Sequence, residues 1–181
     1  MRDGLELREL AKEDLHPDLL KHFNRYQEVT RALRNENGVW VERDISFIDE
    51  WDVGEKHEIV TVDFTSCLSS GGLIWGVFSL ENHLIGFACL LSKPFGSAGQ
   101  YLQLTQLHVS ADYRGMGIGH ELFLVAAQRG RELGAKKLYI STHSAVESQR
   151  FYERLGCVDA VEVNKELVER EPYDRQMEFL L

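Results

Sequence analysis

The chain has 181 residues, of which 44% are hydrophobic and 27% charged, a composition that is ordinary for a soluble globular domain. Its 20 basic and 29 acidic residues give a formal net charge of −9, which disfavours nucleic acid and anionic membrane as partners and favours a cationic one. No apolar run approaches the roughly twenty residues of a membrane-spanning helix. The three cysteines are too few and too far apart for a disulfide framework or a zinc ribbon, so no metal is expected.

The start of the chain, from Met1 to Gly4, lacks the apolar core of a signal peptide. We therefore expect a cytoplasmic protein. Its length fits a single domain with a sizeable core.

The first seventy residues predict a mainly helical lead-in. Alternation over Leu5 to Glu9 indicates an edge strand, and leucines and aromatics at helical spacing predict a helix from Asp14 to about Leu33. The segment from Asn35 to Gly38 is typical of a turn. We further expect a short helix over Ser46 to Trp51 and a short strand over Ile59 to Phe64.

Strands and helices alternate after the serine- and glycine-rich segment from Ser69 to Gly72. A strand–helix–strand crossover set among hairpins requires a mixed sheet, because hairpins pair antiparallel and parallel neighbours need the crossover. We therefore expect an α/β (α+β) fold in which a mixed central sheet of about six to seven strands is flanked by helices. The predicted elements are a hairpin of Leu73 to Leu80 and Leu84 to Leu91, a strand over Tyr101 to Val109, a helix that ends at Leu133, a strand over Lys137 to Thr142, a helix over Glu147 to Leu155, and strands over Val158 to Val163 and about Asp174 to Leu181.

Three alternating glycines, Gly115, Gly117 and Gly119, stand between the predicted central strand and the helix that follows it. Glycine has no Cβ atom to hold a ligand away from the backbone. The first-turn N–H groups of a helix lack intrahelical partners and lie at the positive end of its dipole. Arg114 adds a fixed positive charge, so the segment predicts a phosphate-binding site.

Two common phosphate-binding loops do not match this spacing. A P-loop needs Lys followed by Ser or Thr after its last glycine, whereas His120 and Glu121 follow here. A dinucleotide loop reads G-x-G-x-x-G, whereas this one reads G-x-G-x-G with an arginine in front. A nucleotide-binding enzyme is therefore disfavoured.

The segment from Arg114 to Gly119 resembles the Q/R-x-x-G-x-G/A acyl-CoA loop of the GNAT N-acetyltransferase superfamily. A second block, from Ser148 to Cys157, resembles the A/S-x-x-F-Y-x-x-x-G-F ending of that family, with cysteine where phenylalanine is usual. Ala145 replaces a usual asparagine. The resemblance implies one N-acetyltransferase domain over residues 1–181, in which residues 1–70 form acceptor-side elements and residues 73–181 form the acyl-CoA-binding core.

The resemblance also implies acetyl-CoA as the co-substrate and an amine as the acetyl acceptor. In that family the loop amides hold the pyrophosphate, the splayed central strand binds the pantetheine arm, and a backbone N–H, here near His108 or Val109, binds the carbonyl oxygen. The residues assigned to acyl-CoA binding by this resemblance are Leu107, His108, Val109, Arg114, Gly115, Met116, Gly117, Ile118, Gly119, Ser148 and Tyr152.

Two residues are expected to carry the chemistry. Tyr152 aligns with the tyrosine that acts as general acid in many family members, and a phenol with a pKa near ~10 stays protonated at neutral pH. In some members a glutamate acts as the general base at the position of Gln103. A glutamine side chain cannot accept a proton at neutral pH. His108, His143 or a water chain remain as bases, and His108 is favoured.

An acidic and aromatic cluster is the expected acceptor site, formed by Phe47, Asp49, Glu50 and Trp51 together with the acidic segment from Glu171 to Asp174. Carboxylates beside aromatic faces suit an ammonium group, which predicts a small cationic amine as substrate. Two alternatives stay open, namely acetylation of a protein or peptide amine and a non-catalytic acyl-CoA-binding sensor. The expected partners are a small-molecule amine and a second copy in a homodimer, without nucleic acid or membrane.

Overall fold

The computed structural model describes residues 4–181. The first three residues, on which the expectation about a signal peptide partly depends, lie outside it. The strands are β1 Glu6–Glu9, β2 Gln27–Glu36, β3 Val39–Asp49, β4 Leu73–Phe78, β5 Leu84–Leu90, β6 Tyr101–Val109, β7 Lys137–Thr142, β8 Val158–Asp159 and β9 Arg175–Leu180. The helices are α1 Val53–Glu58, α2 Thr65–Ser69, α3 Ile118–Glu132, α4 Val146–Arg154 and α5 Lys165–Arg170. Within this part of the chain, no helix is long and apolar enough to cross a membrane.

Seven strands form one mixed sheet in the order β1-β4-β5-β6-β7-β9-β8, and β2 and β3 form a separate hairpin. The pair β6–β7 is parallel, and the other neighbouring strands of the sheet pair antiparallel. Helix α3 makes the crossover from β6 to β7 that a parallel pair requires. The expected fold class and strand number are therefore confirmed.

The predicted helix from Asp14 to Leu33 is wrong, and so is the helical lead-in of which it was the main part. The segment holds a 3-10 turn over Pro17–Leu20 and then enters β2. Asn37 and Gly38 both have positive φ, which gives the tight turn that joins β2 to β3. Strand pairing across this turn outweighs the helical spacing of the leucines, and β3 also replaces the short helix expected over Ser46 to Trp51.

The predicted strand over Ile59 to Phe64 is also wrong, because these residues form a π-helical segment between α1 and α2. Ile59, Val60 and Phe64 are buried, and a short apolar run of this kind does not distinguish a strand from a buried helix. Asp52 caps α1 through a reciprocal pair of hydrogen bonds with Glu55.

The strand expected over Val158 to Val163 extends only to Asp159. The chain then turns and forms α5, which was not predicted from the sequence. The side chain of Asn164 accepts hydrogen bonds from the backbone N–H groups of Glu166 and Leu167 and so caps this helix.

Two hydrophobic clusters lie on opposite faces of the sheet. One packs α3 and α4 against β6, β7 and β9, with Leu122, Phe123 and Met177 buried at its centre. The other packs the N-terminal segments and α2 against β4 and β5, around Phe64 and Phe87. The end of β6 lies between these clusters, and the candidate site is found there.

Candidate active site

A cleft opens where β6 and β7 separate. The two strands pair only through Tyr101–Gln103 of β6 and Lys137–Tyr139 of β7, whereas β6 stays paired with β5 as far as Val109. The N–H of Ser110 donates to the carbonyl oxygen of Ile85 on the β5 side. Because successive residues of a strand alternate, the backbone groups of Leu107 and Val109 face the cleft. The open edge of β6 therefore offers main-chain donors and acceptors to an extended ligand.

The glycine-rich loop continues directly from this edge. Gly115 and Gly117 have φ values of +76° and +86°, and a Cβ atom added to either would meet nothing within 4 Å. The positive φ values explain why glycine stands at both positions. Since no side chain covers this surface, the backbone amides at the start of α3 stay open to a phosphate, and the loop fits the pyrophosphate of acyl-CoA.

The next residues anchor the start of α3 on the sheet. Ile118 is buried, and a Cβ atom on Gly86 of β5 would lie 2.8 Å from its Cγ2 atom. A Cβ atom on Gly119 would lie 3.3 Å from the ring of Phe151. Met116 is partly buried against the same cluster. These residues therefore hold the loop in place and contribute main-chain N–H groups, while the glycines before them face outward.

Arg114 links the loop to the end of the open strand. Its Nε atom donates to the carbonyl oxygen of Val109 over 3.2 Å. The Arg114 residue is otherwise exposed, next to the glycine-rich loop. Arg114 thus fixes the end of β6 and supplies a positive charge where the sequence predicted one.

Tyr152 enters the same region from α4, with Ser148 one helical turn before it on the same face. The Tyr152 side chain is 9% exposed and packs against the rings of Phe123 and Phe151. Burial raises the pKa of Tyr152 far above its ordinary value, so its hydroxyl stays protonated at neutral pH.

The hairpin of β2 and β3 occupies the space beside Ala145. Ala32 and Ala145 form an isolated antiparallel bridge, and the N–H of Leu33 donates to the carbonyl oxygen of Ser144 over 2.9 Å. Both alanines are fully buried. The hairpin therefore closes one side of the cleft at the point where the family usually has its asparagine.

A second set of residues gathers around His108 on the acceptor side. Arg25 is 8% exposed, forms a 2.5 Å ion pair with Asp49, and lies 5.4 Å from the ring of Trp51. The ring of Trp51 lies 4.8 Å from that of His108. The sequence reasoning missed Arg25, because in a predicted helix it was one charged residue among many.

Strand alternation divides the other predicted acceptor residues. Phe47 and Asp49 share one face of β3, and the ring of Phe47 lies 5.8 Å from that of His143. Glu50 follows the last residue of β3 and is exposed. The structure therefore brings Phe47, Asp49 and Trp51 to the two histidines, and leaves Glu50 outside the cluster.

Neither histidine is well suited to accept a proton. Burial, with the positive charges of Arg25 and Arg114, lowers the pKa of His108 to about 3. Burial also lowers the pKa of His143. The Nδ1 atom of His143 accepts a hydrogen bond from the N–H of Ala145 over 3.1 Å, so its neutral ring carries the proton on Nε2. The expectation that His108 acts as the base is therefore poorly supported by its environment.

A shallow cavity of about 210 Å³, open to solvent, lies beside Trp51 and is lined by Glu55, Glu58, Ile59 and Asp63. Asp63 also accepts a hydrogen bond from the side-chain amide of Gln106 on β6, which ties the cavity to the open strand. The helical spacing from residue 55 to residue 63 puts these carboxylates on one side of the helix. The sequence reasoning missed this cavity because it read residues 59–64 as a strand.

The comparisons agree with this arrangement. Residues 36–157 match the model of the acetyltransferase (GNAT) family. The structure is similar to nourseothricin acetyltransferase, with a TM-score of 0.71 and 15% identity over 98% of both chains. It is similar to a putative streptothricin acetyltransferase from Bacillus anthracis str. Ames in complex with acetyl coenzyme A, with a TM-score of 0.73 and 18% identity over 98% of both chains.

A third similar structure is the PaiA N-acetyltransferase from Thermoplasma acidophilum in complex with coenzyme A, with a TM-score of 0.61 and 16% identity over 98% of this chain and 99% of that one. Comparison with curated proteins finds no match. The fold and the splayed cleft define an acyl-CoA-dependent transferase, and the family match makes the assignment specific. The chain belongs to the GNAT acetyltransferase family, and acetyl-CoA is its co-substrate.

Proposed function

We propose that this enzyme transfers the acetyl group of acetyl-CoA to a primary amine of a small, cationic acceptor. The observation that carries this proposal is the cavity beside Trp51, which combines an aromatic wall with the carboxylates of Glu55, Glu58 and Asp63. Aromatic faces and carboxylates are what an alkylammonium group binds in water.

The hairpin of β2 and β3 favours a small acceptor over a protein or peptide. Its contact with Ser144 and Ala145 covers the cleft on one side. The ion pair between Arg150 of α4 and Glu42 of β3 supports this closed position. A long peptide needs a groove that is open along its length, whereas a small amine needs only the cavity and the end of the cleft.

The carboxylates near the cleft differ in whether they are free to bind a cationic acceptor. Asp49 is paired with the buried Arg25, so its charge is largely neutralised. Glu58 and Asp63 are exposed and form no ion pair with another described residue. Exposed carboxylates contribute only about 0.2–1 kcal/mol each, so several must act together to attract a di- or polycation.

The chemistry we propose is direct attack by the amine. The neutral amine attacks the thioester carbonyl, whose oxygen is bound by a backbone N–H of the open β6 edge near Val109. The carbon–sulfur bond then breaks with its electron pair on sulfur, and Tyr152 donates its proton to that sulfur. A buried phenol suits this step because it remains protonated until the thiolate forms.

A panel of amines tests the acceptor class. With acetyl-CoA, we expect kcat/KM to be highest for di- and polyamines, lower for a matched monoamine, and lowest for zwitterionic amino acids and peptide N-termini. The rate for polyamines should fall as salt rises from low to high ionic strength, because the Debye length shrinks to about 8–10 Å near physiological salt. A best acceptor that is neutral, anionic or a peptide, with rates indifferent to salt, would contradict the proposal.

Two matched substitutions test whether the carboxylates of the cavity attract the acceptor. Glu58→Gln should lower kcat/KM for a polyamine about two- to fivefold and flatten its salt dependence, as the loss of one exposed carboxylate predicts. Glu50→Gln removes the same charge at an exposed position just after β3, outside the lining of the cavity, and should leave both unchanged. Equal effects of the two substitutions would mean that net charge, and not the cavity, attracts the acceptor.

A further inference from the structure

Acetylation of an amine that arrives as an ammonium needs a group that removes one proton. Gln103 cannot do so, and the two histidines are poorly placed, His108 by its pKa and His143 by the hydrogen bond to its Nδ1 atom. The protonated acceptor has to lose its proton before its nitrogen can attack. Besides a water chain, the remaining candidates for the base are the carboxylates on the acceptor face of the sheet.

Asp174 is a half-buried carboxylate on that face, directly before β9. Its Oδ2 atom accepts a hydrogen bond from the hydroxyl of Ser141 over 3.2 Å. Ser141 lies two residues beyond Tyr139, which is the last residue of β7 that pairs with β6. The carboxyl group is therefore hydrogen-bonded to a side chain of β7 just beyond the point where β6 and β7 separate.

Asp174 and His143 share a charged neighbour in Glu171. Ser141 pairs with Gln176 and Thr142 with Arg175, so His143 and Asp174 each lie one residue beyond the paired ends of β7 and β9. His143 contacts Phe47 of the acceptor cluster. Arg175, the next residue along β9, belongs to the other face, where it bonds to Asp159 and Glu153.

A chain of hydrogen bonds orients Ser141 toward the carboxylate. The amide nitrogen of Gln176 donates to the Ser141 hydroxyl oxygen over 2.8 Å, which directs the hydroxyl proton toward Asp174. The amide oxygen of Gln176 accepts from the hydroxyl of Tyr139, whose oxygen in turn accepts from the N–H of Asn164. These hydrogen bonds between residues of β7 and β9 thus fix the position of the Asp174 carboxylate.

Burial, together with the nearby negative charge of Glu171, raises the pKa of Asp174 to about 6, and the hydrogen bond from Ser141 opposes this shift. Asp174 therefore holds a proton more tightly than His108. The other charged groups around this part of the cleft are Arg25, Arg34 and Asp49, which act on the neighbouring His143.

We propose that Asp174 is the general base of the reaction and takes the first proton from the acceptor ammonium. The step converts R–NH₃⁺ and the Asp174 carboxylate into R–NH₂ and the carboxylic acid. After attack, the carbon–sulfur bond breaks, Tyr152 protonates the sulfur, and the second proton of the nitrogen restores the Tyr152 phenol through solvent. Asp174 then releases its proton to solvent, so that the acetylated amine, free CoA and one proton are formed.

The pH dependence of kcat/KM tests this role, which rests on the proposed function because it requires an ammonium acceptor. In the wild-type enzyme, kcat/KM should fall as the pH drops through about 6, because protonation of Asp174 removes the base. Asp174→Asn should lower kcat/KM at pH 7.5 by about 10²-fold or more and abolish this acid limb. The melting temperature of the variant distinguishes this loss from unfolding.

Two further variants keep Asp174 and move its pKa in opposite directions. Glu171→Gln removes a like charge and should shift the acid limb to lower pH, whereas Ser141→Ala removes a hydrogen bond to the charged form and should shift it to higher pH. Glu169→Gln, an exposed carboxylate of α5, should leave the limb in place. Titration of the Asp174 carboxyl carbon by NMR in the free protein should show the same two shifts.

The outcomes are distinct. An acid limb that persists in Asp174→Asn, or that neither Glu171→Gln nor Ser141→Ala moves, overturns the assignment of Asp174 while leaving an amine acetyltransferase. Failure of the wild-type enzyme to acetylate any amine overturns the proposed function, and the role of Asp174 with it.

Discussion

The two walls of the cleft are assembled from the chain in different ways. The proposed acyl-CoA wall comprises residues that are close in sequence, from Leu107 to Gly119 with Ser148 and Tyr152 from α4, and we expect it to act mainly through backbone groups. The acceptor wall brings together side chains from distant segments, among them Arg25, Asp49 and His108. The first wall therefore appears in the sequence as a contiguous motif, whereas the second does not.

This difference has a physical consequence for function. A backbone N–H cannot be removed by substitution, so the acyl-CoA wall is constrained mainly by glycine positions and helix geometry. The acceptor wall depends on side-chain chemistry, which substitution changes freely on a fixed scaffold. The family match accordingly identifies the co-substrate directly, while the acceptor has to be argued from this chain's own residues.

Tyr152 is the residue where the acyl-CoA wall depends on a side chain, so its substitution should have the largest effect. Tyr152→Phe keeps the packing against Phe123 and Phe151 and removes only the hydroxyl. We expect kcat to fall about 10²–10⁴-fold, as for loss of a general acid, with the Kd for acetyl-CoA unchanged. Steady-state kinetics and calorimetry measure the two quantities.

An unchanged kcat in the Phe variant would mean that Tyr152 is structural or that a step other than chemistry limits the rate. A rise in the Kd for acetyl-CoA alone would instead place the hydroxyl among the groups that bind the co-substrate. The first result would leave the acyl-CoA wall to its backbone groups, whereas the second would make the Tyr152 hydroxyl part of the co-substrate site.

On the acceptor wall, the main contribution of the ion pair between Arg25 and Asp49 should be to the stability of the fold. Asp49→Asn leaves the buried guanidinium with Gln27 as its remaining side-chain acceptor, and its Nε atom already lacks a partner among the described residues. Removal of one partner of a buried pair costs about 3–5 kcal/mol, and the partial exposure of Asp49 reduces our expectation to about 2–4 kcal/mol. Urea denaturation measures the change in the free energy of unfolding.

Asp44→Asn is the matched control, because Asp44 is an exposed residue of the same strand. It should change the free energy of unfolding by less than about 0.5 kcal/mol. Similar small effects of both substitutions would show that the pair contributes little to folding, and that Asp49 is free to meet a substrate.

The sequence predicted the C-terminal part of the fold better than the N-terminal part, for reasons that particular residues make clear. The hairpin of β4 and β5, the strand β6 and the helix α3 are each bounded by glycines or polar turns, so their periodicity is read within clear limits. The segment from Asp14 to Leu33 has leucines at helical spacing, but Val29 and Ala32 are buried as members of a strand. Hairpin pairing across Asn37 and Gly38 decided the structure there.

The candidate site divides in the same way. Arg114, the three loop glycines and Tyr152 could be located from local spacing, because the motif itself is local. Arg25 and the cavity carboxylates depend on which segments meet in the folded chain, and the sequence reasoning had assigned the wrong secondary structure to both segments. The sequence placed Asp174 in an acidic acceptor-side segment, but its hydrogen bond to Ser141 depends on the folded chain.

Gly117 offers the most controlled test of the acyl-CoA wall, although its expected effect is smaller. Gly117 and Gly134 flank the two ends of α3 with nearly equal φ values, +86° and +83°, and a Cβ atom on either would meet nothing within 4 Å. Valine at either position should therefore cause a similar loss of stability from backbone strain, of about 1–2 kcal/mol. Only at residue 117 would the side chain also stand where a phosphate approaches the amides of α3.

We expect Gly117→Val to weaken the Kd for acetyl-CoA about 10–100-fold, the equivalent of one or two charge-assisted hydrogen bonds, and Gly134→Val to leave it unchanged. Calorimetry with each folded variant measures the Kd, and thermal unfolding checks that the two are equally destabilised. If both variants bind acetyl-CoA as tightly as the wild type, the loop does not bind the pyrophosphate. If both bind it more weakly to the same degree, strain in α3 is the cause, and the open surface above Gly115 and Gly117 has no special role.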